Sequence, residues 1–314
     1  MSENKQLNKE GSTATPYDDV YHTLVNECSS LIIPVVNEVF QKQHGKDEKV
    51  TILNNEFYIT SPDGKQKEKI TDSNFVIGRT CYHFECQSTA DGTIILRVFE
   101  YGTQIAVRDS VMDENVLTVK FPTAAVLYLR HTKNTPEEMT ICIRVPGDFC
   151  TYRVPVLKVQ QYSLEEIFEK KLFFLLPFHI FVYEKMLPSY EVDETKLREL
   201  IGIYESIARR LNTCAEEGII SEYEKGTIIA MSKKVLEALT EKYTKVQKGV
   251  KKIMGGQILD YEAKRIHDAA RKNSQLETAY NFFKNGVSYE IVRASIECLS
   301  DEELQEIYKS VLNE

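Results

Sequence analysis

Asp72 and Glu85 are carboxylates on neighbouring strand-like runs, and the amide Gln87 follows Glu85 on the same face. Glu85 and Gln87 stand two apart in the strand-like run "YHFECQ", and Asp72 lies in the preceding run "KITDSNFVI". Side chains alternate across a strand, so His83, Glu85 and Gln87 share one face and Tyr82, Phe84 and Cys86 the other. In the preceding run Asp72, Asn74 and Val76 share a face, opposite Phe75 and Ile77. If the two strands pair as a hairpin, Asp72 and Glu85 converge. Two converging carboxylates suit a hard divalent cation, which takes few carboxylate oxygens and keeps water or phosphate elsewhere. Such an ion polarises a phosphoryl oxygen and generates hydroxide for attack. The other reading is a solvated strand face carrying unrelated charges, and at this point both stand.

The segment that follows reads as a helix over 94–108. Ile95, Val98, Phe99, Gly102, Ile105 and Ala106 form one stripe, and Arg97, Tyr101, Gln104 and Arg108 another. Cations, a phenol and an amide are phosphate-contacting types. An ordinary solvent face has the same composition.

These residues need a frame. The stretch 17–43 reads as one kinked helix or two short ones, with "SSLIIPVVNEVF" at helical spacing, Ser30 as a cap and Pro34 near a helix start. Residues 50–60 read as a strand or a strand-bounded turn, and 69–77 and 81–88 as strands, with "SPDGK" as a turn. "VLTVKFPTAAVLYLR", "MTICIRV" and "CTYRVPVLKV" read as further strands, and "SLEE" at 163–166 is a capping box. The apolar run Leu172–Val182 holds Pro177 and His179, which suits a buried helix or a strand pair. From about 190 onward strand signals vanish and helix formers dominate. The expected architecture is α/β, a mixed sheet flanked by helices with a helical C-terminal region. The boundaries are 1–16 for a disordered tail, 17–190 for the mixed domain and 191–314 for the helical region.

Composition narrows the class. An apolar content of 42% and a charged content of 27% fit a soluble globular chain, and no run reaches the length of a membrane span. The polar start "MSENKQLNKEGSTATP" has no apolar core of a secretory signal. Seven cysteines without metal-like spacing suggest reduced thiols and a cytoplasmic setting, with Cys86 and Cys142 expected as buried thiols. A net charge of −8 argues against coating nucleic acid non-specifically, but not against a local basic face. One such face lies in 225–252, where eight lysines stand against two glutamates on an amphipathic pattern. Residues 285–311 hold two short helical patterns, with Gly286 as a stop, Ser288 as a cap and Ser300 with Glu303 as a capping box. They suit a helix-turn-helix or a packing and homodimer role. Nucleotide-loop, HExxH and GxSxG motifs are absent from the sequence.

The stretch "ITDSNFVI…YHFECQSTADGTIILRVFEYGTQIA" resembles the PD-(D/E)XK nuclease superfamily. The nearer match is its recombination-promoting nuclease and transposase branch, and "NVLTVKFPTAAVLYLR" with "VPVLKVQQYSLEEIFEKKLFFLLPF" extends it over about 17–190. The resemblance implies a restriction-endonuclease-like sheet in the order α-β-β-β-α-β. It implies a magnesium- or manganese-dependent DNA endonuclease with Asp72, Glu85 and Gln87 catalytic. Asp72 and Glu85 would hold the metal, helped by Glu38 on the first helix, with Glu27 its competitor. Arg97 and Tyr101 would contact DNA, with Gln104 beside them on the same stripe. The superfamily pattern has lysine where this chain has Gln87, and an amide brings no charge. Two rival readings follow: a catalytically weak nucleic-acid-binding accessory on the same fold, and a protein-interaction scaffold built on the helical tail.

Overall fold

The computed structural model describes residues 15–53, 56–60, 66–70, 73–89, 92–254, 271–272, 274–296 and 299–312. The chain divides into two compact units, Met1–Ser206 with Ile228–Met254, and Ile207–Thr227 with Gly255–Glu314.

In the first unit, Thr15 caps helix α1 (Pro16–Glu27) in a capping box with Asp18, and Pro16 opens the helix where its missing N–H costs nothing. The predicted helical stretch breaks at Cys28. A 3-10 turn, Ser29–Leu31, re-aims the chain into α2 (Ile32–Phe40), whose cap position is Leu31 rather than Ser30. Pro34 sits in the first turn of α2, where it is tolerated.

A six-stranded mixed sheet follows. Its strands are β1 (Val50–Ile52), β4 (Ser73–Ile77), β5 (Thr80–Gln87), β8 (Thr123–Tyr128), β9 (Glu138–Val145) and β10 (Asp148–Lys158), in the order β1-β4-β5-β8-β10-β9. Two small hairpins stand apart from it, β2 (Glu56–Thr60) with β3 (Gln66–Ile70), and β6 (Val111–Asp113) with β7 (Val116–Thr118). The stretch 50–60, read as a strand or a strand-bounded turn, and the stretch 69–77, read as one strand, are therefore each divided between the sheet and a hairpin. β4 and β5 pair antiparallel through a turn in which Gly78 takes a φ of 61°. β5, β8 and β10 are parallel neighbours, and α3 (Ile94–Arg108) lies in the crossover between β5 and β8.

Helices cover both faces. On one, Tyr21 of α1 hydrogen-bonds Ser73 at 2.7 Å, and Phe40 of α2 packs on Tyr82 and Phe84. Phe75 stacks on the same two rings, making an aromatic layer. On the other face, Ile94 and Val98 of α3 bury against Ala124, Val126, Tyr128, Val154 and Val156. Cys86 is buried as expected, but Cys142 is exposed, because β9 is the edge strand of the sheet.

After β10 comes α4 (Leu164–Glu169), opened by the Ser163–Glu166 capping box. The apolar run then winds as tight 3-10 turns, Phe173–Met186, with Phe173–Phe181 buried; Pro177 lacks the N–H for a regular α-helix. α5 (Leu187–Val192), α6 (Glu194–Glu216), α7 (Glu222–Leu239) and α8 (Thr244–Met254) follow.

The second unit is helical. Its core gathers Ala279, Phe283, Val292, Ile296, Leu299 and Leu304. Gly286 ends one helix with a φ of 78°, and Ser300 and Glu303 form the expected capping box. The architecture is thus an α/β fold with a mixed sheet flanked by helices and a helical C-terminal region. No helix of the described residues is long and apolar enough to cross a membrane.

Candidate functional site

β5 is the strand where antiparallel pairing with β4 meets parallel pairing with β8. Its alternation puts Cys81, His83, Glu85 and Gln87 on one face, as the sequence pattern predicts for the last three, and α3 lies over that face. Glu85 is 1% exposed and His83 is fully buried. His83 Nε2 lies 3.0 Å from Glu85 Oε1. Arg97, one turn into α3, places Nη2 2.7 Å from Gln87 Oε1 and 3.3 Å from Glu85 Oε2. Four polar side chains from one strand and one helix thus form a continuous chain.

The polar lining extends onto β4. Asn74 stands directly across from His83, fully buried, and its Oδ1 accepts from Cys81 Sγ at 3.2 Å. Burial pushes the Cys81 thiol up to about 11, helped by the charge of Asp109, so it stays protonated. Among the described residues, His83 Nδ1 and Asn74 Nδ2 are buried without hydrogen-bond partners. Such atoms cost stability, and a sheet face selected for packing alone avoids them.

The expected residues separate into three groups. Glu85, Gln87 and Arg97 come together. Asp72, the second carboxylate of the motif, lies outside the described residues. Glu38, Tyr101 and Gln104 make the third group. Glu38 accepts from Lys170 Nζ at 2.6 Å and Tyr162 Oη at 3.2 Å. Its helix packs Phe40 on Tyr82 and Phe84, which alternate with Glu85, so the sheet lies between Glu38's helix and the Glu85 face. Tyr101 is buried, with its ring edge-on to His83 at 6.0 Å. The buried arc of α3 is rotated from the predicted stripe: Ile94 and Tyr101 turn inward, while Ile95 and Phe99 are half-buried. The polar bed of His83 and Glu85 accepts a phenol where a purely apolar sheet would take isoleucine. Gln104 is half-buried, and its Oε1 has no partner among the described residues. Arg97 is the accessible member, with 40% of its side chain exposed.

One cation escaped the sequence reading. Strand register puts Gln87 beside Tyr128 and Tyr128 beside Lys158, on the same face and at the carboxyl ends of three parallel strands. In open α/β sheets ligands bind outside those ends. Lys158 lies two strands from Gln87, about 10 Å between Cα atoms at ordinary strand spacing. Its side chain is 3% exposed and reaches Glu137 Oε1 at 2.5 Å. The alternation Val154, Val156, Lys158 is visible in the sequence, but the register that ties it to Gln87 is not.

Among the described residues, no three His, Cys, Asp or Glu side chains gather into a group fit for a metal ion. The chain matches no model of a known protein family, no curated protein and no solved structure.

Proposed function

We propose that the chain is a metal-dependent DNA endonuclease linked to recombination or transposition, with Glu85 as its central carboxylate. The observation that carries this reading is the burial of Glu85 at 1% exposure, in a polar chain with His83, Arg97 and Gln87. Burying a carboxylate and a guanidinium contact costs several kcal/mol of desolvation, which packing alone gives no reason to bear. The unpaired His83 Nδ1 and Asn74 Nδ2 add to that cost on the same face.

Carboxylate oxygens are the donors that Mg²⁺ or Mn²⁺ takes, and Glu85 together with Asp72 would supply them. The bound ion would polarise a phosphoryl oxygen and furnish hydroxide near neutral pH. His83 fixes the orientation of the Glu85 carboxylate. Gln87 orients the attacking water through its amide. Arg97, the exposed end of the chain, meets the phosphate and balances charge where the superfamily pattern has lysine. Lys158 adds a second cation on the same face.

The test is nicking of supercoiled plasmid with Mg²⁺ or Mn²⁺ by the native protein, Glu85→Gln and Asp72→Asn. Nicking by the native protein alone is the expected result. Nicking at equal rate by Glu85→Gln sinks the proposal.

A second reading has its own observation. Arg97 already balances the charge of Glu85 and holds Gln87. On that ground the cluster suits a nucleic-acid-binding accessory that has given up cleavage. It predicts no nicking by any of the three proteins and duplex binding that survives both substitutions.

A further inference from the structure

α8 is a basic helix on a rigid mount. Its sequence, TKVQKGVKKIM, holds four lysines and no acidic residue in a chain of net charge −8. The inner face is spent on packing: Val246 and Val250 are fully buried. A Cβ on Gly249 would meet Ile201 Cδ1 of α6 at 2.9 Å, so glycine lets the two helices close. The N-terminus is capped from outside by Glu191 of α5, whose carboxylate accepts from the backbone N–H groups of Lys245 and Val246 at 3.0 and 3.2 Å. Lys251 is tied to Glu237 at 2.6 Å. Lys245, Lys248 and Lys252 are exposed, and none makes an ion pair among the described residues. Their spacing of i, i+3 and i+7 aligns them on one side of the helix.

We propose that this lysine stripe is a docking surface for the phosphate backbone of duplex DNA. The inference deepens the DNA reading above and rests on it. Three things on the helix choose this partner. The stripe runs about 10 Å along the axis, the length over which one DNA strand presents about three phosphates. Lysines act as point charges on flexible stems, suited to a sequence-independent polyanion rather than to a bidentate carboxylate partner. A bilayer would need apolar side chains beside the charges, and no large apolar side chain described on α8 is exposed.

The experiment is fluorescence anisotropy of the full-length chain with a labelled duplex of about two helical turns, in EDTA, across a series of salt concentrations from 50 to 200 mM as in standard counterion analysis. The comparison is with Lys245→Gln/Lys248→Gln/Lys252→Gln, and with Lys42→Gln/Lys46→Gln/Lys49→Gln, which removes equal charge from another exposed stretch. The stripe variant is expected to bind at least tenfold more weakly at low salt. Its plot of log affinity against log salt should be shallower by about 2 to 3, near 0.9 per phosphate lost. The second variant should keep the native slope. An unchanged slope in the stripe variant overturns the proposal, as does a native protein that binds no duplex. Lysine-dependent binding to phosphatidylserine vesicles without duplex binding overturns it in favour of a membrane. The assay in EDTA is independent of cleavage. A shifted slope with nicking intact in Glu85→Gln sinks the catalytic reading and leaves this one, and the converse pair of results does the reverse.

Discussion

Arg97 Nη2 donates to Gln87 Oε1 at 2.7 Å while standing 3.3 Å from Glu85 Oε2. The amide at position 87 is therefore chosen by the helix above it. A lysine there would set an ammonium against the guanidinium. Gln87→Lys is expected to destabilise the fold by about 1–2 kcal/mol after allowance for solvent around the half-exposed arginine. Adding Arg97→Gln should recover most of that loss. Urea unfolding of the double-mutant cycle measures the coupling, and strictly additive effects would show that the two side chains do not sense one another.

His83 holds the buried carboxylate through one bond of 3.0 Å. His83→Ala leaves the buried Glu85 without that hydrogen-bond partner, for an expected loss of about 2–3 kcal/mol. His83→Gln keeps an N–H of similar reach and should retain more than half of the stability. Equal losses in the two variants would assign the effect to ring packing against Tyr101 instead.

The Lys158–Glu137 pair is lopsided. Lys158 is 3% exposed, whereas Glu137 is 76% exposed, and the Lys158 hydrogen bond draws the Glu137 carboxyl below the usual range. Removing the lysine leaves a solvated carboxylate; removing the glutamate leaves a buried ammonium without its partner. Glu137→Ala should therefore lower the melting temperature more than Lys158→Met does. If Lys158 serves the phosphate, Lys158→Met also slows nicking while melting near the native temperature, and the paired readout separates the two roles.

His179 supplies a pH dependence unrelated to the site. Burial pulls its imidazole down to about 4, against the opposing charge of Glu165, and its Nδ1 has no partner among the described residues. The unfolded chain thus binds a proton that the folded chain refuses between its ordinary value of 6.5 and about 4. Stability is full above that window and falls as pH drops through it. The loss is on the order of 2–3 kcal/mol by the end. His179→Phe should flatten this part of the stability profile, as followed by urea midpoints from neutral to acid pH. An unchanged profile would place the acid sensitivity elsewhere.

The alternation of Tyr82, His83, Phe84 and Glu85 was legible because it depends only on the strand repeat. So were the capping boxes at Ser163 and Ser300, which are local by construction. The face of the sheet that receives the Glu38 helix was not legible, because an apolar stripe does not say what it packs on. The burial of Tyr101 was hidden for a related reason: helical angle alone cannot tell that His83 and Glu85 make a bed for a phenol. Lys158 needed the register of two parallel pairings, and Cys142 needed the knowledge that β9 ends the sheet. What the sequence withheld is in each case a long-range relationship.

The parallel pairing of β5 with β8 also sets an order of assembly. β4 and β5 meet across the tight turn at Gly78 and need little of the chain to do so. β8 reaches β5 only after α3 and the β6–β7 hairpin have been threaded across, the costly long-range closure in this part of the fold. Until α3 lies down, Glu85 stays in water and bears no desolvation penalty. The long-range closure that brings β8 and α3 to β5 is therefore also what takes the Glu85 carboxylate out of water.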